Sequence, residues 1–93
     1  MLERDIEARV VKYVESLGGE ALKLRIDGKN GFPDRTVILP NGKVFFVEFK
    51  TPDGSLRSAQ TKAIRRLTKL RQEVHVVRSV QAGLDLVDKI LGI

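Results

Sequence analysis

The sequence contains no cysteine, and its only histidine is His75. Without cysteine the chain forms no disulfide and no thiolate metal site, and one histidine cannot provide a cluster of imidazole ligands. Any metal bound by the protein must therefore be held by oxygen atoms. His75 itself has no evident partner in the sequence, and we expect it to be structural or to lie at the surface.

Long apolar runs are missing as well. The sequence has no stretch of about 18 apolar residues and no signal-peptide pattern, so we expect a soluble intracellular protein. With 93 residues and 42% hydrophobic composition, the chain is predicted to form one domain, residues 1–93, with a modest core.

Acidic residues are fewer than basic ones. Lys and Arg number 17 against 12 Asp and Glu, which gives a net charge of +5 and favours polyanionic partners. From Arg57 to Arg71 there is no acidic residue. Helical spacing gathers four cations of this stretch on one face: Lys62, Arg65, Arg66 and Lys69. Such a face is more often simply solvated, so contact with phosphates depends on independent evidence for a nucleic-acid site.

Apolar periodicity and turn residues predict the order α-β-β-β-α-β-α, a mixed sheet covered by helices. The predicted elements are a helix over residues 2–17, a strand over 20–26, a hairpin with strands over 35–39 and 44–50, a helix over 59–70 with Ser58 as N-cap, a strand over 74–77, and a helix over 80–91 with Ser79 as N-cap.

The second strand of the hairpin carries two charges in an apolar run. Because side chains alternate across a strand, Glu48 and Lys50 project from one face, and Val47 and Phe49 from the other. Asp34 stands at the start of the first strand. Mg²⁺ commonly takes one or two carboxylates besides waters and phosphate, so Asp34 and Glu48 suffice as its protein ligands, with the Phe49 carbonyl as a third. An ordinary surface Glu–Lys pair is the competing interpretation.

Two further polar side chains fall on apolar faces of predicted helices. Glu3 lies at the middle of the apolar stripe of the first helix and Glu7 near its edge, so both are candidates for an inward-facing acid. An acid in the first turn also complements the helix dipole without any other role. Gln60 lies on the apolar side of the second long helix, where a buried amide needs hydrogen-bond partners.

The motif Pro33-Asp34, thirteen residues, Glu48-Phe49-Lys50 resembles the signature of the PD-(D/E)XK nucleases, and the flanking sequence resembles their VRR-NUC branch. The resemblance extends from Glu3 to about Ser79. The matching stretches are Glu3-Arg4-Asp5-Ile6, Leu17-Gly18-Gly19, Gly31-Phe32-Pro33-Asp34, Val47-Glu48-Phe49-Lys50 and Ser58-Ala59-Gln60. Arg35 departs from the apolar residue that often follows Pro-Asp in the family, which alters the local electrostatics.

The resemblance implies a restriction-endonuclease-like αβββαβ(α) core and a Mg²⁺- or Mn²⁺-dependent DNA endonuclease. It makes Asp34 and Glu48 metal ligands, Lys50 the catalytic lysine, Glu3 the first-helix acid and Gln60 the supporting amide. The residues expected to contact nucleic acid are Lys62, Arg65, Arg66, Lys69 and Lys29.

Small stand-alone members of the family resemble the homodimeric Holliday-junction resolvases, which implies a homodimer acting on branched DNA in the cytoplasm of a bacterium or of a phage-infected host. Two alternatives stay open. One is a DNA-binding module without catalysis, and the other is a flap or single-strand nuclease that acts as a monomer.

Overall fold

A computed structural model of the protein describes residues 1–93 and contains three helices and one four-stranded sheet. The elements are α1 (Glu3–Ser16), β1 (Glu20–Leu22), β2 (Arg35–Ile38), β3 (Val44–Phe49), α2 (Ser58–Lys69), β4 (Val74–Val77) and α3 (Val80–Leu91). The predicted α/β class and the order of the elements are confirmed.

The strands lie in the sheet in the order β1-β2-β3-β4. The first three are antiparallel, and β4 lies parallel to β3. A tight turn closes the hairpin between β2 and β3, where Gly42 has a φ of 85°. Parallel strands need a long crossover connection, and α2 lies in that connection between β3 and β4.

The main core lies between one face of the sheet and the helices α1 and α3. Phe45, Val47 and Phe49 of β3 point into it, as strand alternation requires. The other core residues are Ile6, Val10, Val14, Val37, Leu39, Val77 and Val87. The two helices approach closely at Gly83, where an added Cβ would come within 2.4 Å of Val10. This packing fixes α1, and with it the position of Glu3, against the sheet.

The predicted strand over residues 20–26 is wrong beyond Leu22. Leu24 and Ile26 are 45% and 39% exposed and lie outside the sheet. In the register of β1 and β2, Leu22 pairs with Thr36, so Lys23 would stand opposite Arg35, the first residue of β2. Residues 24–26 have no strand residue opposite them, and the pairing stops.

The structure confirms one of the two predicted N-caps, that of α3, and corrects that of α2. Ser58 is the first residue of α2 and not its N-cap, which is Arg57, because the Gln60 side chain accepts the Arg57 N–H at 2.8 Å. The helix predicted to end at Leu70 ends at Lys69, and Leu70 is 66% exposed. Ser79 is confirmed as the N-cap of α3, since its hydroxyl accepts the Ala82 N–H at 3.1 Å. None of the helices combines the length and the apolar character needed to cross a membrane.

Candidate active site

Three carboxylates from separate elements meet at one end of the sheet. Glu3 comes from the first turn of α1, Asp34 directly precedes β2, and Glu48 lies near the end of β3. One oxygen from each lies within 4.8 Å of the other two. We call Glu3, Asp34 and Glu48 the acidic cluster. The fold thus brings together Glu3, Asp34, which is 31 positions further along the chain, and Glu48, which is another 14 positions on. Asp34 and Glu48 lie on the sheet face opposite the main core.

Glu48 is the most buried member of the cluster, with 1% of its surface exposed. One carboxylate oxygen, Oε2, accepts a hydrogen bond from Gln60 Nε2 at 2.7 Å, whereas Oε1 has no partner. The pKa of Glu48 is raised from 4.5 to about 7, mainly by burial and then by the negative charges of Asp34 and Glu3, against the opposing charge of Lys50. A buried carboxylate with an unpartnered oxygen and two acidic neighbours requires a proton or a cation to compensate it.

Asp34 ties the start of β2 to the end of β3. Its Oδ2 accepts the Phe49 N–H at 2.8 Å. In the register of the two strands, Phe49 stands opposite Pro33, just beyond the last pair between Arg35 and Val47. The Asp34 carboxylate therefore takes the place of a ladder acceptor, which fixes its orientation beside Glu48.

Lys50 and Gln60 flank Glu48. Lys50 is 9% exposed, and its Nζ lies 3.9 Å from Glu48 Oε2. The Gln60 amide donates to Glu48 and accepts the Arg57 N–H, so both ends of the amide are used. Only one orientation of the amide satisfies both contacts, because a carboxylate cannot donate and a backbone N–H cannot accept.

Glu7, the rival to Glu3, lies outside the acidic cluster. Its Oε2 accepts a hydrogen bond from Arg35 Nε at 2.6 Å, and the Arg35 Nη1 donates to the Ala21 carbonyl at 2.8 Å. The guanidinium thus holds Glu7 against the edge of the sheet. The structure brings Glu3 to Asp34 and Glu48, and it brings Glu7 to Arg35.

Three comparisons relate this chain to known proteins. The sequence model of the VRR-NUC domain matches residues 3–81 of the chain. This chain belongs to the VRR-NUC family. A VRR-NUC domain of known structure superposes with a TM-score of 0.84 and is 32% identical, covering 92% of this chain and 94% of that one. A relative named "Putative nuclease p44", from Acyrthosiphon pisum secondary endosymbiont phage 1, is 42% identical over 77 residues, which are 83% of each chain.

VRR-NUC membership confirms the family inferred from the Pro-Asp and Glu-x-Lys motifs and gives the chain the character of a nuclease domain with DNA as its substrate class. The five residues that the resemblance singled out lie at one place in the VRR-NUC fold. Glu3, Asp34 and Glu48 form the acidic cluster, and Lys50 and Gln60 lie against Glu48.

Gly31 supports the VRR-NUC site in a way that the sequence did not reveal. Its φ is +78°, and a Cβ at this position would come within 2.4 Å of the Ala59 carbonyl and 2.6 Å of the Gln60 nitrogen. The loop before Asp34 therefore packs directly on the first turn of α2, from which Gln60 reaches Glu48. The signal in the sequence was the glycine of Gly31-Phe32-Pro33-Asp34, because glycine accepts both a positive φ and a close approach of another backbone.

The predicted cationic residues all lie on the surface. The four cations of α2 (Lys62, Arg65, Arg66 and Lys69) are all exposed, and none belongs to the three ion pairs of the chain. We call them the α2 basic surface. Helical geometry puts this surface on the side of α2 opposite Gln60, across a helix about 10 Å wide. Lys29 is exposed in the loop that leads to Asp34.

Proposed function

We propose that residues 1–93 form one nuclease domain that hydrolyses phosphodiester bonds within branched DNA, with Mg²⁺ or Mn²⁺ as cofactor. The observation that carries this proposal is the meeting of Glu3, Asp34 and Glu48 within 4.8 Å. A DNA-binding module without catalysis has no use for three carboxylates next to a phosphate, because they repel it.

The acidic cluster fits a hard divalent cation. Its donors are carboxylate oxygens, which Mg²⁺ and Mn²⁺ prefer, and the Oε1 atom of Glu48 is buried without a partner. Asp34 and Glu48 are the proposed ligands, together with the Phe49 carbonyl. When bound, such an ion lowers the pKa of a water and neutralises charge that builds up on a phosphate.

The chain's own residues have distinct proposed roles. Asp34 and Glu48 are held in orientation by the Phe49 N–H and the Gln60 amide. Lys50, almost buried beside Glu48, is the proposed catalytic lysine, which orients or deprotonates the attacking water. Glu3 adds a third carboxylate from the helix terminus. Gln60 is a positioning residue because it acts through Glu48.

Cations outside the acidic cluster are proposed to hold the DNA. Lys29 precedes Asp34 by five residues and is positioned to bind a phosphate of the DNA strand that enters the acidic cluster. The α2 basic surface faces away from Gln60, so it is suited to phosphates of a flanking duplex arm and not to the cleaved strand. Both contributions are electrostatic and weaken as salt rises.

A homodimer with two sites suits paired cuts in a four-way junction, and we propose this state for the protein. Three apolar side chains on the face of the sheet opposite the main core support it. Leu22, Ile38 and Val44 are 37%, 37% and 45% exposed. The phage origin of the relative supports a phage-infected host cell as the proposed location.

Cleavage of labelled four-way, flap and linear duplex DNAs, with Mg²⁺, Mn²⁺ or EDTA, tests the proposal. We expect cutting of the four-way junction that requires a divalent ion. Asp34→Ala, Glu48→Ala and Lys50→Ala should each abolish it while circular dichroism shows an unchanged fold. Full activity of the Glu48→Ala variant would refute the metal site. Full junction cleavage by a protein of 10.4 kDa in light scattering would refute the dimer and favour a monomeric flap or single-strand nuclease.

A further inference from the structure

The segment over residues 23–30 serves neither the core nor the sheet. It connects β1 to the loop that carries Asp34, and all eight of its residues are exposed. One backbone hydrogen bond, from the Lys29 N–H to the Ile26 carbonyl at 3.2 Å, folds it into a turn. We call residues 23–30 the exposed loop.

Large apolar side chains alternate with cations along the exposed loop. Leu24 and Ile26 are 45% and 39% exposed, and Lys23 and Arg25 stand beside them. Neither cation belongs to an ion pair of the chain. Exposed Leu and Ile gain about 25 cal/mol for each Å² of apolar surface that a partner covers. The pattern suits a partner that offers both phosphates and apolar surface.

The exposed loop is anchored beside the acidic cluster. At its end, Gly31 packs on the backbone of Ala59, and the Phe32 ring contacts Phe46 edge to face with 5.6 Å between centroids. Asp34 follows two residues later. An extended chain covers at most about 3.5 Å for each residue, so Ile26 lies within roughly 28 Å of Asp34 along the chain and Lys29 within roughly 17 Å. The loop is therefore a few nucleotides from a phosphate held at the acidic cluster.

We propose that the exposed loop recognises the branch point of the DNA substrate, an inference that rests on the proposed function. Lys23, Arg25 and Lys29 bind phosphates around the branch, and Leu24 and Ile26 pack on base faces that are unstacked there. Inserting an apolar side chain between bases costs a few kcal/mol of stacking in a continuous duplex. The cost is lower where a branch already interrupts the stack, so the apolar pair favours branched over linear DNA.

Charge favours DNA over a second protein copy as the occupant of this loop. In a two-fold contact the same surface meets itself, so the cations of one loop would face those of the other. The loop holds three cations and one acid, Asp27, in a chain of net charge +5. Self-association through the loop is therefore repulsive, whereas the phosphate backbone is complementary.

The decisive experiment is binding in EDTA to a four-way junction and to a linear duplex of the same sequence, with 2-aminopurine at the branch. Wild type should prefer the junction and increase the 2-aminopurine fluorescence through unstacking. Leu24→Ser with Ile26→Ser should lose that increase and at least tenfold of the junction preference, about 1.4 kcal/mol, while duplex affinity stays within twofold. The matched control is Leu70→Ser, an exposed leucine outside the loop, which should behave like wild type.

Several outcomes overturn the inference. It fails if wild type does not prefer the junction, or if the double variant binds and unstacks the junction like wild type. It also fails if light scattering shows that the double variant has half the mass of wild type, because the apolar pair then covers a second copy. Leu24→Ser alone should give a partial loss, which guards against a folding defect in the double variant. Failure of the proposed function is separate, since it would appear as junction binding with unstacking but no cleavage in Mg²⁺ or Mn²⁺.

Discussion

Glu48 should make the metal-free protein less stable as pH rises. Its pKa is raised from 4.5 to about 7, so between these values the folded protein keeps a proton that the unfolded chain has lost. Its stabilising contribution is complete below pH 4.5 and is lost as pH rises through 7. At 1.36 kcal/mol for each pKa unit, the full change in the free energy of unfolding is about 3 kcal/mol, of which about 2.5 kcal/mol falls between pH 5 and pH 8.

Urea unfolding in EDTA at pH 5 and pH 8 measures this change when wild type is compared with Glu48→Gln. The glutamine keeps an oxygen that can accept the Gln60 hydrogen bond, and it does not titrate. Wild type should therefore lose about 2.5 kcal/mol more than the variant between the two pH values. Glu20→Gln, which removes an exposed carboxylate on β1, is the matched control and should follow wild type.

Divalent ions should reverse the effect. At pH 8 an ion bound at the acidic cluster compensates Glu48, and at a hundred times its dissociation constant it stabilises the folded state by about 2.7 kcal/mol. Glu48→Gln should gain little from the same concentration of Mg²⁺. Equal pH dependence of wild type and variant would refute the argument from burial, and equal stabilisation by Mg²⁺ would refute Glu48 as a ligand.

Three further predictions concern the surroundings of the acidic cluster. Glu3→Ala should lower the cleavage rate more than Glu7→Ala, and the reverse order would identify Glu7 as the first-helix acid of the site. Gly31→Ala should lower the thermal stability of the protein by more than Gly28→Ala, because both glycines have positive φ but only Gly31 has neighbours within 4 Å. Similar losses of stability would show that the contact of Gly31 with α2 contributes little. Charge reversal of the α2 basic surface should weaken binding to every DNA and lower the slope of log affinity against log salt by about one for each lost phosphate contact, and an unchanged slope would mean an ordinary solvated face.

Local rules were sufficient to predict the elements that position the acidic cluster. Alternation along β3 predicted that Val47 and Phe49 would be buried opposite Glu48, and both belong to the core. The hairpin turn at Gly42 follows from residues adjacent in sequence. Helical spacing placed Gln60 toward the sheet, where it bonds to Glu48. In each case the pattern depends on a few neighbouring residues and one buried face.

Contacts between distant segments could not be read in the same way. The alternation of residues 20–26 is typical of a strand, but its outer half has no partner because β2 begins only at Arg35. The contact of Gly31 with α2 depends on a backbone 28 residues away. Local patterns state what a segment favours, whereas its neighbours in the fold decide whether it can pair.

The contacts of Arg35 resolve the ambiguity between Glu3 and Glu7. On the helical wheel both Glu3 and Glu7 face inward, and spacing alone does not choose between them. The guanidinium of Arg35 lies between Glu7 and the Ala21 carbonyl, so its charge is compensated by Glu7. An apolar residue at position 35 would leave the Glu7 carboxylate, only 18% exposed, without this partner and free to turn elsewhere. Because Arg35 binds Glu7, the first helix offers Glu3 to Asp34 and Glu48, which agrees with the acid that the family resemblance implies.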